Sequence, residues 1–274
     1  MSERKRDWVD VLVEARRIVK DAGRRAQKIR DTGVTRLAKS HQDFVTEADL
    51  QVEQFIREEL VVLFPGDRVF GEEGRDGDEG DTEDTTTPHS VYDRVTWVLD
   101  PVDGTSNFAA GLDTWCVSLG AVRNDMTEIA VIYAPDRDEE YTAIRGGGAW
   151  LNGEGLAVSR NRDVAESLIM TGRGAVLPVD EYLAILRRIL EGGFEYRRYG
   201  SGALGIAMVA TGTIQGYIEM AMWPWDVAAA RLIVAEAGGY LSPFPLDPLK
   251  REPGPPLVAC QPGLEDSLMK ILLG

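Results

Sequence analysis

Asp100-Pro101-Val102-Asp103-Gly104-Thr105 follows directly on the apolar run Val95, Trp97, Val98 and Leu99, so two carboxylates leave the end of a predicted strand together. Carboxylate oxygens suit Mg²⁺, which keeps several waters and recruits one or two acidic side chains plus phosphate oxygens. Pro101 stiffens the turn, and Gly104 removes side-chain bulk where backbone must approach a ligand. Thr105, Ser106 and Asn107 follow with hydroxyls and amide N–H groups able to cradle an anion. The alternative is a tight turn whose Asp side chains hydrogen-bond their own backbone.

Size and composition bound what surrounds this stretch. The chain of 274 residues is long enough for one large or two moderate domains. A net charge of −15 argues against nucleic acid as a partner, because sequence-independent affinity for phosphate backbones comes from Lys and Arg. Cys116 and Cys260 both sit in apolar stretches and are expected as buried thiols. His41 and His89 are the only histidines, too few for His-based zinc chemistry. No apolar run approaches the roughly 20 residues that cross a bilayer, and the charged start Met-Ser-Glu-Arg-Lys-Arg-Asp lacks the apolar segment of a signal peptide. A cytoplasmic protein with no membrane partner is expected.

Trp8, Val9, Leu12, Ala15, Val19 and Ala22 recur at helical spacing, and Gly23 with Arg24 and Arg25 predicts the end of that helix. Thr46-Glu47-Ala48-Asp49 reads as a capping box opening a second helix, with Val52, Phe55, Ile56 and Leu60 inward and Pro65-Gly66 as its stop. Residues 74–94, rich in Asp, Glu, Gly and Thr, read as an exposed loop. Runs at 115–122, 129–133 and 141–144, with turns at Gly146-Gly147-Gly148 and Asn152-Gly153, predict a hairpin-rich half. Beyond about residue 160 strands and helices alternate: 168–171, 180–190, 203–210, 214–220, 226–237 and a closing helix over 264–272. The expected organisation is an α+β half over 1–155 and a more α/β half over 156–274.

Further acidic residues stand at element ends. Glu72 and Glu73 lie in Phe70-Gly71-Glu72-Glu73-Gly74, Asp49 is the third residue of its helix, and Asp226 after Trp223-Pro224-Trp225 reads as an N-cap. In order along the chain, Asp43-Phe44-Val45-Thr46-Glu47-Ala48-Asp49, Gly71-Glu72-Glu73, Asp100 through Phe108, Trp225-Asp226-Val227-Ala228-Ala229-Ala230 and Glu236-Ala237-Gly238-Gly239 resemble the inositol monophosphatase family.

That resemblance implies a layered αβαβα sugar-phosphatase fold and a phosphatase dependent on two or three Mg²⁺ ions. By it, Glu72, Asp100 and the Val102 carbonyl hold one ion, and Asp100, Asp103 and Asp226 a second. It assigns phosphate binding to the N–H groups of Gly104 and Thr105, and orientation of the attacking water to Glu72 and to Thr105 paired with Asp49. It places Glu219, seven residues before Asp226, as a carboxylate accepting polyol hydroxyls, so inositol monophosphate is favoured and a homodimer is expected; Asp103 and Ser201, whose Gly200-Ser201-Gly202 run brings a hydroxyl to a helix N-terminus, are expected as further substrate contacts. Arg173, Arg197 or Arg198 receiving a second phosphate keeps fructose 1,6-bisphosphate open, and histidinol phosphate and 3′-phosphoadenosine 5′-phosphate share much of the motif set. Trp223 and Trp225 keep an adenine sandwich open. A non-catalytic interaction scaffold is the reading from a different class.

Overall fold

The computed structural model describes residues 6–33, 36–40, 43–74, 94–158, 167–174, 177–246 and 251–274, with side chains at 36–40 and 43–45 excepted. The Lys39 and Ser40 side chains, both histidines and nearly all of the acidic loop therefore lie outside the described residues. The N-terminal part consists of α1 (Trp8–Asp31), a β1 (Arg36–Ser40) and β2 (Asp43–Thr46) hairpin, α2 (Glu47–Leu63), β3 (Arg68–Gly71), β4 (Thr96–Asp103) and α3 (Thr105–Ala110). β5 (Cys116–Arg123), β6 (Met126–Ala134), β7 (Glu139–Ile144), β8 (Gly148–Leu151) and β9 (Glu154–Gly155) complete a seven-stranded sheet in sequential order from β3. All its pairings are antiparallel except β3 with β4.

The second sheet is built from β10 (Leu168–Thr171), α4 (Val179–Glu191), β11 (Glu195–Arg197), α5 (Gly202–Ala210), β12 (Gly216–Glu219), α6 (Pro224–Val227), α7 (Ala230–Glu236), β13 (Tyr240–Leu241), β14 (Leu257–Cys260) and α8 (Glu265–Leu273). Its order is β11-β10-β12-β14-β13, parallel around β10 and antiparallel around β14. α1 and α2 cover one face of the large sheet, α5 and α7 fill the space between the sheets, and α4 and α8 pack on the far side of the small one. These are the five αβαβα layers expected from the resemblance. Middle-layer helices are apolar all round because both their faces are covered: every residue of α5 from Ala203 to Ala210 is buried.

The structure extends the first helix past its predicted end. α1 continues from Gly23 to Asp31 because Gly23 is a contact residue: a Cβ there would lie 2.6 Å from Pro135 and 2.9 Å from Tyr133. Glycine costs helix stability but lets α1 lie directly on the end of β6. The predicted helix over 226–237 is two, α6 and α7, and Asp226 is the third residue of α6 rather than its N-cap, its carboxylate accepting the Trp223 N–H at 3.1 Å. Pro224 takes the first helical position, which needs no N–H donor.

Asp136 secures α1 at its C-terminal end. Its carboxylate accepts from Arg30 at 2.5 and 2.7 Å, from Gln27 at 2.8 Å and from the Trp115 indole at 2.6 Å. Burial alone would raise its pKa, but the donors from Arg30, Gln27 and Trp115 win and hold it at about 2. A carboxylate whose folded pKa is depressed stabilises the fold above its unfolded pKa of about 3.9 and loses that contribution as pH falls to about 2. Asp136→Asn should cost about 2 kcal/mol at pH 7, and urea unfolding should show the deficit shrinking between pH 4 and 2. A pH-independent deficit would contradict the ion-pair account.

Candidate active site

Asp100 and Asp103 are three residues apart, and in a regular strand such a pair points to opposite faces. Here the β4–β5 register slips: Asp100 pairs with Ser118 and Asp103 with Cys116, so three steps on β4 match two on β5. Pro101, without an N–H, cannot serve the ladder, and the extra residue forms a bulge. The Val102 N–H turns to Asp100 Oδ1 at 3.0 Å. This local irregularity brings both carboxylates to one side of the strand end.

Asp226 arrives from α6, and one oxygen each of Asp100, Asp103 and Asp226 lies within 4.8 Å of the other two. Asp100 and Asp103 are buried, and Asp226 lines the adjoining cleft. Burial first, then repulsion from neighbouring carboxylates, pushes the Asp100 and Asp226 carboxyls far above the usual range. None of the three pairs with Lys or Arg among the described residues. Hard oxygen donors gathered at this spacing without a compensating cation fit a divalent metal ion.

Glu72 follows β3 and stands outside that trio, yet its charge acts on both Asp100 and Asp226. Its N–H donates to the Leu99 carbonyl at 3.1 Å, and the next N–H, of Glu73, donates to the buried Glu53 carboxylate at 2.9 Å. Glu53 in turn accepts from Arg57, which also reaches the Val69 carbonyl, so α2 fixes the turn that presents Glu72.

Asp49 is wholly buried, and the capping box expected at the start of α2 is present, with Asp49 Oδ2 accepting the Thr46 N–H at 2.9 Å. Its other oxygen accepts the Thr105 hydroxyl at 3.1 Å, and the same hydroxyl reaches the Val102 carbonyl at 3.1 Å. Burial raises the Asp49 pKa against the opposing hydrogen bonds of Thr46 and Thr105. Gly104, at φ 92°, turns the chain from β4 into α3 in the left-handed region, and a Cβ there would stand 3.0 Å from the Thr114 carbonyl.

Asp103 has a second set of contacts that its motif alone does not disclose. Its carboxylate accepts from Ser201 Oγ at 2.5 Å and from the N–H groups of Gly202 and Ala203 at 3.0 and 2.7 Å, tying β4 to the start of α5. Ser201 is thus engaged with Asp103 and lines the cleft as an acceptor. Glu219 shares the cleft. Burial raises its carboxyl to about 7, against the hydrogen bond donated by Tyr217 Oη to Oε2 at 2.5 Å. Tyr217 escaped the sequence reading, although residues two apart on one strand share a face. Gly172 is equally necessary, because a Cβ there would overlap the Glu219 carboxylate.

Arg173 and Arg198 line this cleft, whereas Arg197 donates to Glu195 and the Tyr196 carbonyl on the exposed side of β11. Trp223 and Trp225 stack on each other, centroids 5.0 Å apart and planes at 5°, and Trp225 also packs on Phe70. The two rings lie against each other, with no gap between them for an adenine. Asn107 joins the two loops around the site, its Nδ2 donating to the Thr114 carbonyl at 2.7 Å and the Tyr199 carbonyl at 2.5 Å. Cys116, expected as a buried thiol, is one, 3.7 Å from Asp103.

The sequence pattern of the inositol monophosphatase family matches residues 7–265. The chain is 38% identical over 208 residues to the Nus factor SuhB of Escherichia coli K12, covering 75% of this chain and 74% of that protein. It is 33% identical over 241 residues to the inositol monophosphatase of Dictyostelium discoideum, covering 85% and 82%. Among solved structures, the extragenic suppressor protein suhB of Bartonella henselae superposes with a TM-score of 0.83 at 27% identity, over 96% of this chain and 98% of that one. With a family match spanning nearly the whole sequence and an acidic centre assembled from its ordered motifs, the chain belongs to the inositol monophosphatase family.

Proposed function

We propose that this protein is a Mg²⁺-dependent phosphomonoesterase that hydrolyses inositol monophosphate. The observation carrying the proposal is the trio Asp100, Asp103 and Asp226, drawn within 4.8 Å of one another beside the Asp49–Thr105 pair. Asp100, Asp103, Asp226, Glu72 and the Val102 carbonyl would hold two or three ions. When bound, Mg²⁺ makes a water easier to deprotonate and neutralises charge on the phosphoryl and leaving oxygens.

The remaining tasks fall to the chain itself. In this reading the N–H groups of Gly104 and Thr105 receive the phosphate, on the loop that Gly104 turns. Thr105 Oγ1 accepts a proton of the attacking water while donating its own toward Asp49 Oδ1, the direction already set by their hydrogen bond. The buried Asp49, its pKa raised by desolvation, is the better proton acceptor for it. Glu72 holds the water from the other side. Glu219, with one oxygen fixed by Tyr217, and Asp103 accept hydroxyl hydrogens of the polyol ring. Sequence similarity to the Dictyostelium inositol monophosphatase supports that substrate. The resemblance is also the ground for proposing a homodimer, and the absence of an apolar signal or spanning segment in the sequence is the ground for proposing a cytoplasmic location.

Arg173 and Arg198 favour a second reading, in which the substrate carries a second phosphate as fructose 1,6-bisphosphate does; among the described residues, buried Arg173 Nε has no hydrogen-bond partner. Phosphate release from inositol 1-phosphate, fructose 1,6-bisphosphate, histidinol phosphate and 3′-phosphoadenosine 5′-phosphate, each with Mg²⁺ or EDTA, separates these. Turnover that requires Mg²⁺ and is fastest on inositol 1-phosphate is expected. Silence across the whole panel from folded, Mg²⁺-supplied protein would favour the interaction scaffold instead.

Two substitutions test the assigned roles. Asp226→Asn should lower Mg²⁺-dependent turnover at least about 100-fold, beyond the 10–100-fold typical of losing a mere supporting contact. The thermal midpoint of the metal-free variant should not fall, because a charge leaves a buried group of like charges. Normal turnover would remove Asp226 from the site. Gly172→Ala should displace the Glu219 carboxylate, raising KM for inositol 1-phosphate about tenfold, the equivalent of one good hydrogen bond to a charged group, with kcat nearly retained. An unchanged KM would remove Glu219 from substrate binding.

A further inference from the structure

We propose that Arg251 is a positioning residue for the divalent-ion site, clasping the turn that carries Glu72 to the turn that carries Asp226. This rests on the reading of the acidic centre as a metal site. Arg251 Nη1 donates to the Glu72 carbonyl at 3.1 Å, across 179 residues of chain. Its guanidinium carbon lies 4.9 Å from the Phe70 ring centroid and 5.9 Å from that of Trp225, two rings that pack on each other 5.9 Å apart. Phe70 precedes Glu72 by two residues, and Trp225 immediately precedes Asp226. One planar cation therefore touches the immediate support of a ligand from each half of the chain.

Neighbouring contacts are shaped to this arrangement. A Cβ on Gly74 would overlap the Arg251 guanidinium, so the chain beyond Glu72 leaves space for it. Three residues after Arg251, the Gly254 N–H donates to the Met222 carbonyl at 2.7 Å, tying residues 251–254 to the start of the Trp223–Asp226 turn. This segment is a strap with two attachments on the Glu72 side, the Glu72 carbonyl and the Phe70 ring, and two on the Asp226 side, the Trp225 ring and the Met222 carbonyl.

Positioning and electrostatics predict opposite signs. Arg251 is a positive charge near a cation site, so its Coulomb effect alone opposes metal binding, and its removal would tighten binding. If it acts by holding the two turns at the spacing the ion requires, its removal weakens binding, by the 10–100-fold typical of outer-shell contacts to metal ligands.

The test is calorimetric titration of Mg²⁺ into metal-free wild type, Arg251→Ala and Arg251→Lys, with thermal midpoints recorded alongside. Arg251→Ala should raise the Mg²⁺ Kd about tenfold without a lower midpoint, and turnover of inositol 1-phosphate should recover at saturating Mg²⁺. Lysine keeps the charge and one donor to the Glu72 carbonyl but lacks the planar contact, so Arg251→Lys should fall between wild type and Arg251→Ala. Unchanged or tighter binding in Arg251→Ala, or equal weakening in both variants, overturns the proposal. If Arg251→Ala does not fold, Arg251→Lys decides: a Kd between two- and fivefold above wild type supports the clasp, and any other value overturns it. Wild-type protein that binds no Mg²⁺ overturns the metal-site reading itself, whatever the variants do.

Discussion

Repulsion among Asp100, Asp103 and Asp226 is the constraint around which the rest of the molecule is arranged. Three carboxylates whose oxygens come within 4.8 Å, two of them buried, oppose one another and their own desolvation. A chain free to relax would separate them. They stay together because each is held by backbone that has other reasons to be where it is: the β4 bulge, the start of α5 and the short α6 turn. The hydrophobic effect opposes the repulsion through one apolar cluster that runs from Val98 and Cys116 of the large sheet through Ala203–Ala210 to Tyr217 and Leu257 of the small one.

Because Asp100 and Asp103 come from β4 and Asp226 from α6, the acidic cluster cannot form in either part of the chain alone. Asp103 illustrates the coupling: it belongs to the β4 motif, yet its partners Ser201, Gly202 and Ala203 lie about 100 residues further on. Asn107 does the same for the neighbouring loop through the Tyr199 carbonyl. A carboxylate that both accepts N–H bonds from the start of α5 and belongs to the acidic cluster serves structure and electrostatics together, so replacing Asp103 would disturb α5 as well as the cluster. Asp226, held among the described residues by a single N–H from Trp223, separates the two effects more cleanly.

Much of the site was legible because its residues are clustered in short motifs. Asp100, Asp103, Gly104 and Thr105 lie within six residues, and the capping box at Thr46–Asp49 follows from local spacing. Elements with strong periodicity, such as α2 and the strand at Leu168–Thr171, stand where apolar patterning places them. Two expectations failed for tertiary reasons. Gly23 resembles a helix stop, but it is a bare patch pressed against Pro135 and Tyr133, a meaning visible only once β6 lies across it. Asp226 resembles an N-cap, but Pro224 already starts the helix and leaves Asp226 to bond backward.

Sequence by itself determined the local chemistry: which residue types bear charge, where proline and glycine force the backbone to turn, and which ordered motifs belong together. Tertiary structure alone decided convergence. Strand spacing puts Tyr217 and Glu219 on one face, but nothing in the sequence says that Gly172 lies against them and that a hydrogen in place of a methyl leaves room for the Glu219 carboxylate. Nor does any motif link Arg251 to Phe70, Glu72 and Trp225. Local preferences act over a few residues of chain, whereas these contacts are set by the packing of two sheets about shared helices, and that packing brings together residues whose separation along the sequence carries no information about their separation in space.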